Sequence, residues 1–146
     1  MLIIPILLFL IFLKLKVVSD ADATDRHERH YPYLAAVVML LAGMIWLNEL
    51  TGLSLVKILY FSTLINLILL YFVNLFWKMS AHAMGASGIA AAAFMISPWL
   101  FLLSAAVIFS VGWSRVYLGK HTLLQVCAGA VTGFTTTMIL FKTAGF

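Results

Sequence analysis

The residue types best suited to chemistry stand close together in the segment SRVYLGKHTLLQ, residues 114–125. After Ser114, Arg115 carries a planar guanidinium that binds phosphate through two parallel hydrogen bonds. Six positions later, His121 carries an imidazole that can attack phosphorus or transfer a proton. Gln125 follows at a spacing of four, which on a helix puts its amide oxygen on the same face as the imidazole. This pattern predicts a phosphate-handling site.

The composition places this site at a membrane. The chain has 146 residues, of which 64% are hydrophobic and 10% charged, and its mean hydropathy is +1.12. Soluble domains are about half apolar and about a quarter charged, so we predict one membrane-embedded domain over residues 1–146. A net charge of only +4, carried by scattered basic residues, argues against nucleic acid and favours anionic lipid or phosphate. The single cysteine, Cys127, excludes a disulfide framework, and we expect it to be a buried packing residue.

Apolar segments predict an all-α bundle with about six transmembrane helices. The predicted spans are residues 2–18, 33–47, 53–76, two spans within 83–113, and 122–141. Ser97-Pro98 divides the region 83–113, which is longer than one straight span requires; a single kinked helix is the alternative. The first span carries its lysines after the apolar run, unlike a secretory signal. We therefore expect a retained short helix, or a chain that lacks an upstream segment.

This helix count puts three polar segments on one face of the membrane. They follow the first, third and fifth crossings and cover residues 19–32, 78–82 and 114–121. Because charges are costly inside a bilayer, such a cluster is a functional-site hypothesis. If residues 83–113 formed one span, His82 and His121 would lie on opposite faces and the site would not form.

The polar residues resemble two signatures of the type 2 phosphatidic acid phosphatase family, whose relatives include the vanadium haloperoxidases. Five residues have the matching types and spacing: Ser80, His82, Ser114, Arg115 and His121. Residues 79–82, MSAH, resemble the family's Pro-Ser-Gly-His motif. The other motif is Ser-Arg, five residues, His, three residues and Asp, and it matches except at Gln125. The resemblance covers residues 25–141 and is to a divergent bacterial branch.

The family's remaining motif, Lys, six residues, Arg-Pro, is absent in its usual form. Alignment on Pro32 puts Thr24 and Tyr31 at the two basic positions. Arg26 and Arg29 stand nearby in the sequence DRHERHYP, and we expect one or both to supply the missing positive charge.

The resemblance implies a role for each site residue. His121 would be the nucleophile that forms a phosphohistidine, and His82 would protonate the leaving alcohol. Gln125 would orient His121 without the charge of an aspartate, so we expect weaker catalysis, or help from Glu28 or Asp25. Six residues would hold the phosphoryl oxygens: Arg115, Ser80, Ser114, Arg26, Arg29 and Lys78. The family needs no metal or cofactor, and we expect neither.

The predicted function is hydrolysis of a phosphomonoester or pyrophosphate on a lipid or isoprenoid carrier that enters from the bilayer. One alternative is a non-catalytic subunit of a membrane complex, which the absent motif and Gln125 favour. Another is a transporter or headgroup binder that uses the same basic residues. The resemblance suggests a bacterial inner membrane, with the face open. The GxxxG segment at 129–133 suggests close packing within the chain, or a homodimer.

Overall fold

Six α-helices make up the chain in a computed structural model, which describes residues 3–20, 25, 27–50 and 54–146. They are α1 Ile3–Lys14, α2 His30–Leu50, α3 Leu55–Phe76, α4 Ala81–Ile96, α5 Pro98–Tyr117 and α6 Leu123–Thr143. A short 3-10 turn, His27–Arg29, precedes α2. Every regular element of the described residues is helical, so the predicted all-α class is confirmed.

Four helical segments are long and apolar enough to cross a membrane: His27–Glu49, Leu55–Phe76, Pro98–Tyr117 and Leu123–Thr143. The chain is therefore an integral membrane protein. The helix α4 has 16 residues and α1 has 12, fewer than the roughly 20 that a span needs. The six predicted helices are thus present, but only four of the described ones are candidate spans. The short α4 is rich in buried alanine and glycine, because it packs inside the bundle.

The division at Ser97-Pro98 separates two distinct helices. Ser97 ends α4, and Pro98 begins α5, where its missing N–H costs nothing. The ring of Phe101, early in α5, lies 5.7 Å from that of Phe134 in the second half of α6. A Cβ on Gly112, late in α5, would lie 3.0 Å from Val126 in the first turn of α6. These contacts make α5 antiparallel to α6, whereas α4 runs parallel to α6. Because α4 and α5 therefore run in opposite directions, the alternative of one kinked helix is wrong.

The helices α4 and α6 run parallel and form the closest packing in the bundle. At their beginnings, the Ser80 amide donates to the Gln125 carbonyl at 3.2 Å, and near their ends Ala92 packs against Phe141. A Cβ on Gly133 would collide with the α4 backbone. The small residues at 129–133 therefore pack within the chain, which is the first of the two possibilities that the sequence suggested.

One packing prediction is wrong. Cys127 is exposed on α6, whereas Val126, Gly129 and Gly133 are buried. At about 100° per residue, position 127 points away from the face that holds Gly129. The apolar context of Cys127 reflects contact with the bilayer.

Candidate phosphate site

The three polar segments meet at one end of the bundle. Arg29, in the turn before α2, donates from Nη1 to the carbonyl of Met79 at 3.4 Å, which joins the first segment to the second. Lys120 Nζ lies 3.6 Å from Asp20 Oδ2, which joins the third segment to the first. Since α4 and α6 are parallel with α5 between them, His82 and residues 114–121 also share this end. The structure thus brings together the segments that the sequence placed on one face.

His121 lies between α5 and α6 because of a left-handed turn. Gly119 has a φ of 65°, a conformation that glycine adopts without strain. This turn ends α5 and directs the chain back over its last residues. The His121 amide then donates to the Arg115 carbonyl at 3.2 Å. The phosphate-binding candidate and the nucleophile candidate are therefore held side by side.

Gln125 fixes the orientation of the His121 ring. The imidazole Nδ1 lies 3.2 Å from Gln125 Oε1, and the Thr122 backbone N–H donates to the same oxygen at 3.1 Å. An N–H group bonds only to an acceptor, so the second contact identifies this atom of the amide as oxygen. The imidazole must then donate from Nδ1 and keep its lone pair on Nε2.

The same glutamine also begins α6. The Thr122 hydroxyl accepts from the backbone N–H of Gln125 at 3.3 Å. The Gln125 side chain in turn accepts from the backbone N–H of Thr122, which completes a capping box. A four-residue turn therefore sets both the start of the helix and the tautomer of His121.

The environment of His121 favours the neutral imidazole. Its side chain is 8% exposed, and its pKa is lowered from 6.5 to about 4. Burial is the largest cause, followed by the positive charges of Arg29 and Lys78; the Gln125 hydrogen bond acts in the opposite direction, and His82 adds a smaller lowering effect. At neutral pH the ring is uncharged and Nε2 keeps its lone pair, which is the nucleophilic form of histidine.

Arg29 is the basic residue of the first loop that the structure brings to the site. It is only 4% exposed, and Nη1 lies 3.5 Å from the hydroxyl of Tyr33, four residues along. Sequence reasoning missed Tyr33, although the spacing of four on a helix gives the signal. Arg26, the other predicted candidate, lies outside the described residues.

Lys78 adds to the positive charge around His121. Its pKa is lowered from 10.5, first by partial burial and then by the charges of Arg29 and Lys120, with Asp20 and Asp25 opposing. Like charges held together at a protein surface favour an anionic ligand that relieves their repulsion. The electrostatics of this end of the bundle therefore suit a phosphate group.

The remaining predicted phosphate ligands occupy different surroundings. Ser80 is fully buried, and its hydroxyl caps α4 by accepting from the Ala83 amide at 3.3 Å. Ser114 and Arg115 are half-buried in the last turns of α5, and His82 is exposed in the first turn of α4. Their roles stay predictions.

The two acids expected to help His121 are engaged elsewhere. Glu28 Oε2 accepts from the amide of Ser19 at 2.8 Å and from its hydroxyl at 2.9 Å. Asp25 Oδ1 accepts from the His27 amide at 2.9 Å. Within the described part of the chain, the side chain that contacts His121 Nδ1 is thus an amide, not a carboxylate.

No protein-family model, curated protein or solved structure matches this chain. The resemblance to the type 2 phosphatidic acid phosphatases therefore stays a prediction from the motif residues and their spacing in the sequence. Among the described residues there is no group of three or more histidine, cysteine, aspartate or glutamate side chains that could hold a metal ion.

Proposed function

We propose that this protein is a membrane-embedded phosphatase of the type 2 phosphatidic acid phosphatase kind. Its substrate would be a phosphomonoester or pyrophosphate on a lipid or isoprenoid carrier, and a bacterial inner membrane is its proposed location. The observation that carries the proposal is the environment of His121. Its Nδ1 lies 3.2 Å from Gln125 Oε1, and burial together with the charges of Arg29 and Lys78 lowers its pKa.

In the first step, His121 Nε2 attacks phosphorus. A P–N bond forms and the bond from phosphorus to the leaving oxygen breaks, while protonated His82 gives its proton to that oxygen. Arg29, Arg115 and Lys78 stabilise the negative charge on the other phosphoryl oxygens. Positioning and charge stabilisation of this kind supply most of the catalysis in phosphoryl transfer.

In the second step, water attacks the phosphohistidine. His82, now neutral, takes a proton from the water, the P–N bond breaks, and inorganic phosphate leaves. The positive charge that His121 gains on phosphorylation is lost when the P–N bond breaks. Both histidines thus return to their starting states.

A second candidate is a non-catalytic subunit of a membrane complex that keeps this fold. The observation that favours it is the structural use of two site residues: Ser80 caps α4, and Gln125 completes the capping box of α6. In that case, residues with the family's spacing would be retained for folding alone.

Phosphate release by the purified protein separates these candidates. The substrates are dodecyl phosphate, an isoprenyl phosphate and an isoprenyl pyrophosphate, each presented in detergent micelles. We expect release by the wild-type protein and its loss in His121→Ala, while His27→Ala, an exposed histidine outside the site, retains activity. Equal release by His121→Ala would refute the phosphatase proposal. No release by a folded wild-type protein would favour the subunit.

A further inference from the structure

An apolar cavity of about 700 Å³ lies between α2, α3 and α4. Its wall includes Tyr33, Leu40, Gly43, Leu67, Gly85 and Ile89. The wall residues that carry polar side-chain groups are few: Thr63, Asn66, Thr137 and the two tyrosines, Tyr33 and Tyr60. The Asn66 amide donates to the Thr137 hydroxyl at 3.2 Å. The cavity is therefore suited to hydrocarbon.

The cavity opens through the side of the bundle. Three wall residues, Ala42, Gly85 and Ile89, are exposed on the outside of the bundle, and Ile89 is 66% exposed. These residues belong to α4 and α2, and α2 is a candidate membrane span. The opening therefore faces the bilayer, and a lipid tail can enter it without crossing water.

One end of the cavity adjoins the phosphate site. Tyr33 lines the cavity, and its hydroxyl lies 3.5 Å from Arg29 Nη1. Ala81, between Ser80 and His82, lines the same end. The opposite end lies at Gly43, where a Cβ would collide with the hydroxyl of Tyr60.

The depth of the cavity corresponds to one leaflet. Tyr33 and Gly43 are ten residues apart on α2, or about 15 Å at the usual helical rise. The hydrocarbon core of a bilayer is about 30 Å thick, so one leaflet contributes about half of that. A single tail reaching from the phosphate site would end near Tyr60.

We propose that this cavity holds the hydrocarbon tail of the phosphorylated amphiphile whose phosphate lies at Arg29, Lys78 and His121. The proposal rests on the proposed function and specifies its substrate class: a long-chain phosphate held by one tail. Lipid tails are as apolar as the cavity wall, so transfer from the bilayer adds little affinity. The cavity instead positions the phosphorus for attack by His121, and misplacement by about 1 Å can cost about a hundredfold in rate.

The variant Gly85→Leu tests the tail site. Gly85 lines the cavity, and a Cβ there meets nothing within 4 Å, so a leucine at this position takes up space in the cavity. Ala106→Leu is the matched control, because Ala106 is exposed on α5 and is not part of the cavity wall. We expect Gly85→Leu to lower kcat/KM for dodecyl phosphate about tenfold or more. The kcat/KM for phenyl phosphate, which has no long tail, should stay unchanged. If both substrates react as in the wild-type protein, the tail site is refuted and the phosphatase proposal stands.

If the protein hydrolyses none of the substrates, the phosphatase proposal is refuted but the tail site is not. A cross-linking measurement then tests the tail site independently. Dodecyl phosphate with a diazirine at the tail end is irradiated with the protein in lipid nanodiscs. We expect adducts on Leu59 and Tyr60 at the deep end, and fewer of them in Gly85→Leu. Adducts spread equally over lipid-facing residues such as Leu102 and Leu103 would overturn the proposal.

Discussion

The neutral imidazole of His121 follows from burial together with nearby positive charge. In the motif that this site resembles, an aspartate stabilises the imidazolium, whereas Gln125 supplies the same hydrogen bond without charge. Arg29 and Lys78 further disfavour protonation. The ring therefore stays nucleophilic at neutral pH. The positive charge that develops on phosphorylation, however, receives less stabilisation than an aspartate would give.

We expect Arg29→Gln to raise the pKa of His121 above the wild-type value of about 4. A nearby positive charge disfavours the imidazolium, so its removal moves the pKa toward 6.5. In the wild-type protein the nucleophilic form is present above about pH 4 and is lost by protonation below it. The pKa of His121 in both proteins is measured by nitrogen-15 NMR of labelled histidine as a function of pH. Lys142→Gln, at the other end of α6, is the control, and an equal shift in that variant would contradict the role of Arg29.

We expect Gln125→Glu to strengthen catalysis. The glutamate can still accept from the Thr122 amide, since glutamate and glutamine both serve in capping boxes. Its charge raises the pKa of His121 and stabilises the imidazolium that phosphorylation creates. We expect kcat for dodecyl phosphate to rise about tenfold, or about 1.4 kcal/mol of barrier.

The variant Gln125→Met serves as the control for this substitution. It removes the acceptor for Nδ1 at similar side-chain length and should lower kcat. A value for Gln125→Glu at or below that of Gln125→Met would show that charge at this position does not assist the reaction.

The packing of α4 against α6 positions both histidine candidates, because Ser80 and Gln125 lie at the contact between the two helix beginnings. We expect Gly133→Val to separate the helices, since even a Cβ there would meet the Met84 carbonyl. Overpacking of this kind costs about 1–3 kcal/mol or more. The thermal midpoint in detergent should fall, together with activity. Gly85→Ala is the matched control, and an equal loss there would contradict the packing account.

Most of the helices could be predicted from the lengths of the apolar segments and from the polar residues and prolines that separate them. Ser97-Pro98 correctly indicated the boundary between α4 and α5, because proline begins a helix easily and interrupts one at a cost. The sequence did not distinguish a spanning helix from the short α4. A segment of small apolar residues has the same hydropathy whether it contacts lipid or other helices, so hydropathy alone does not show whether the segment crosses the membrane.

The candidate site was predictable in part. Spacing placed His121 and Gln125 on one face, and their hydrogen bond has the expected partners. The burial of Arg29 and its contact with Met79 were not predictable, because they depend on how the first loop folds over residues 50 positions away. The capping role of Ser80 likewise appears only when the exact beginning of α4 is known.

The proposed site can form only if the three polar segments lie on the same face of the membrane. Single cysteines test this in a Cys127→Ser background, with an impermeant maleimide added to oriented vesicles. We expect His82→Cys and Tyr117→Cys to react from the same side and Thr143→Cys from the other, since all three positions are exposed. Reaction of His82→Cys and Tyr117→Cys from opposite sides would contradict the α4–α5 hairpin.

The proposed function depends on phosphoryl transfer to His121, and this step can be detected by trapping the phosphohistidine. The substrate is para-nitrophenyl phosphate, whose leaving group needs no proton, so the His82→Ala variant can still form the phosphohistidine. The attack of water on the phosphohistidine, however, lacks its general base in this variant. We expect a burst of nitrophenol and an alkali-stable, acid-labile phosphate on the peptide that contains His121. Continued phosphate release by this variant, with no burst and no phosphate on His121 at any quench time, would contradict the account.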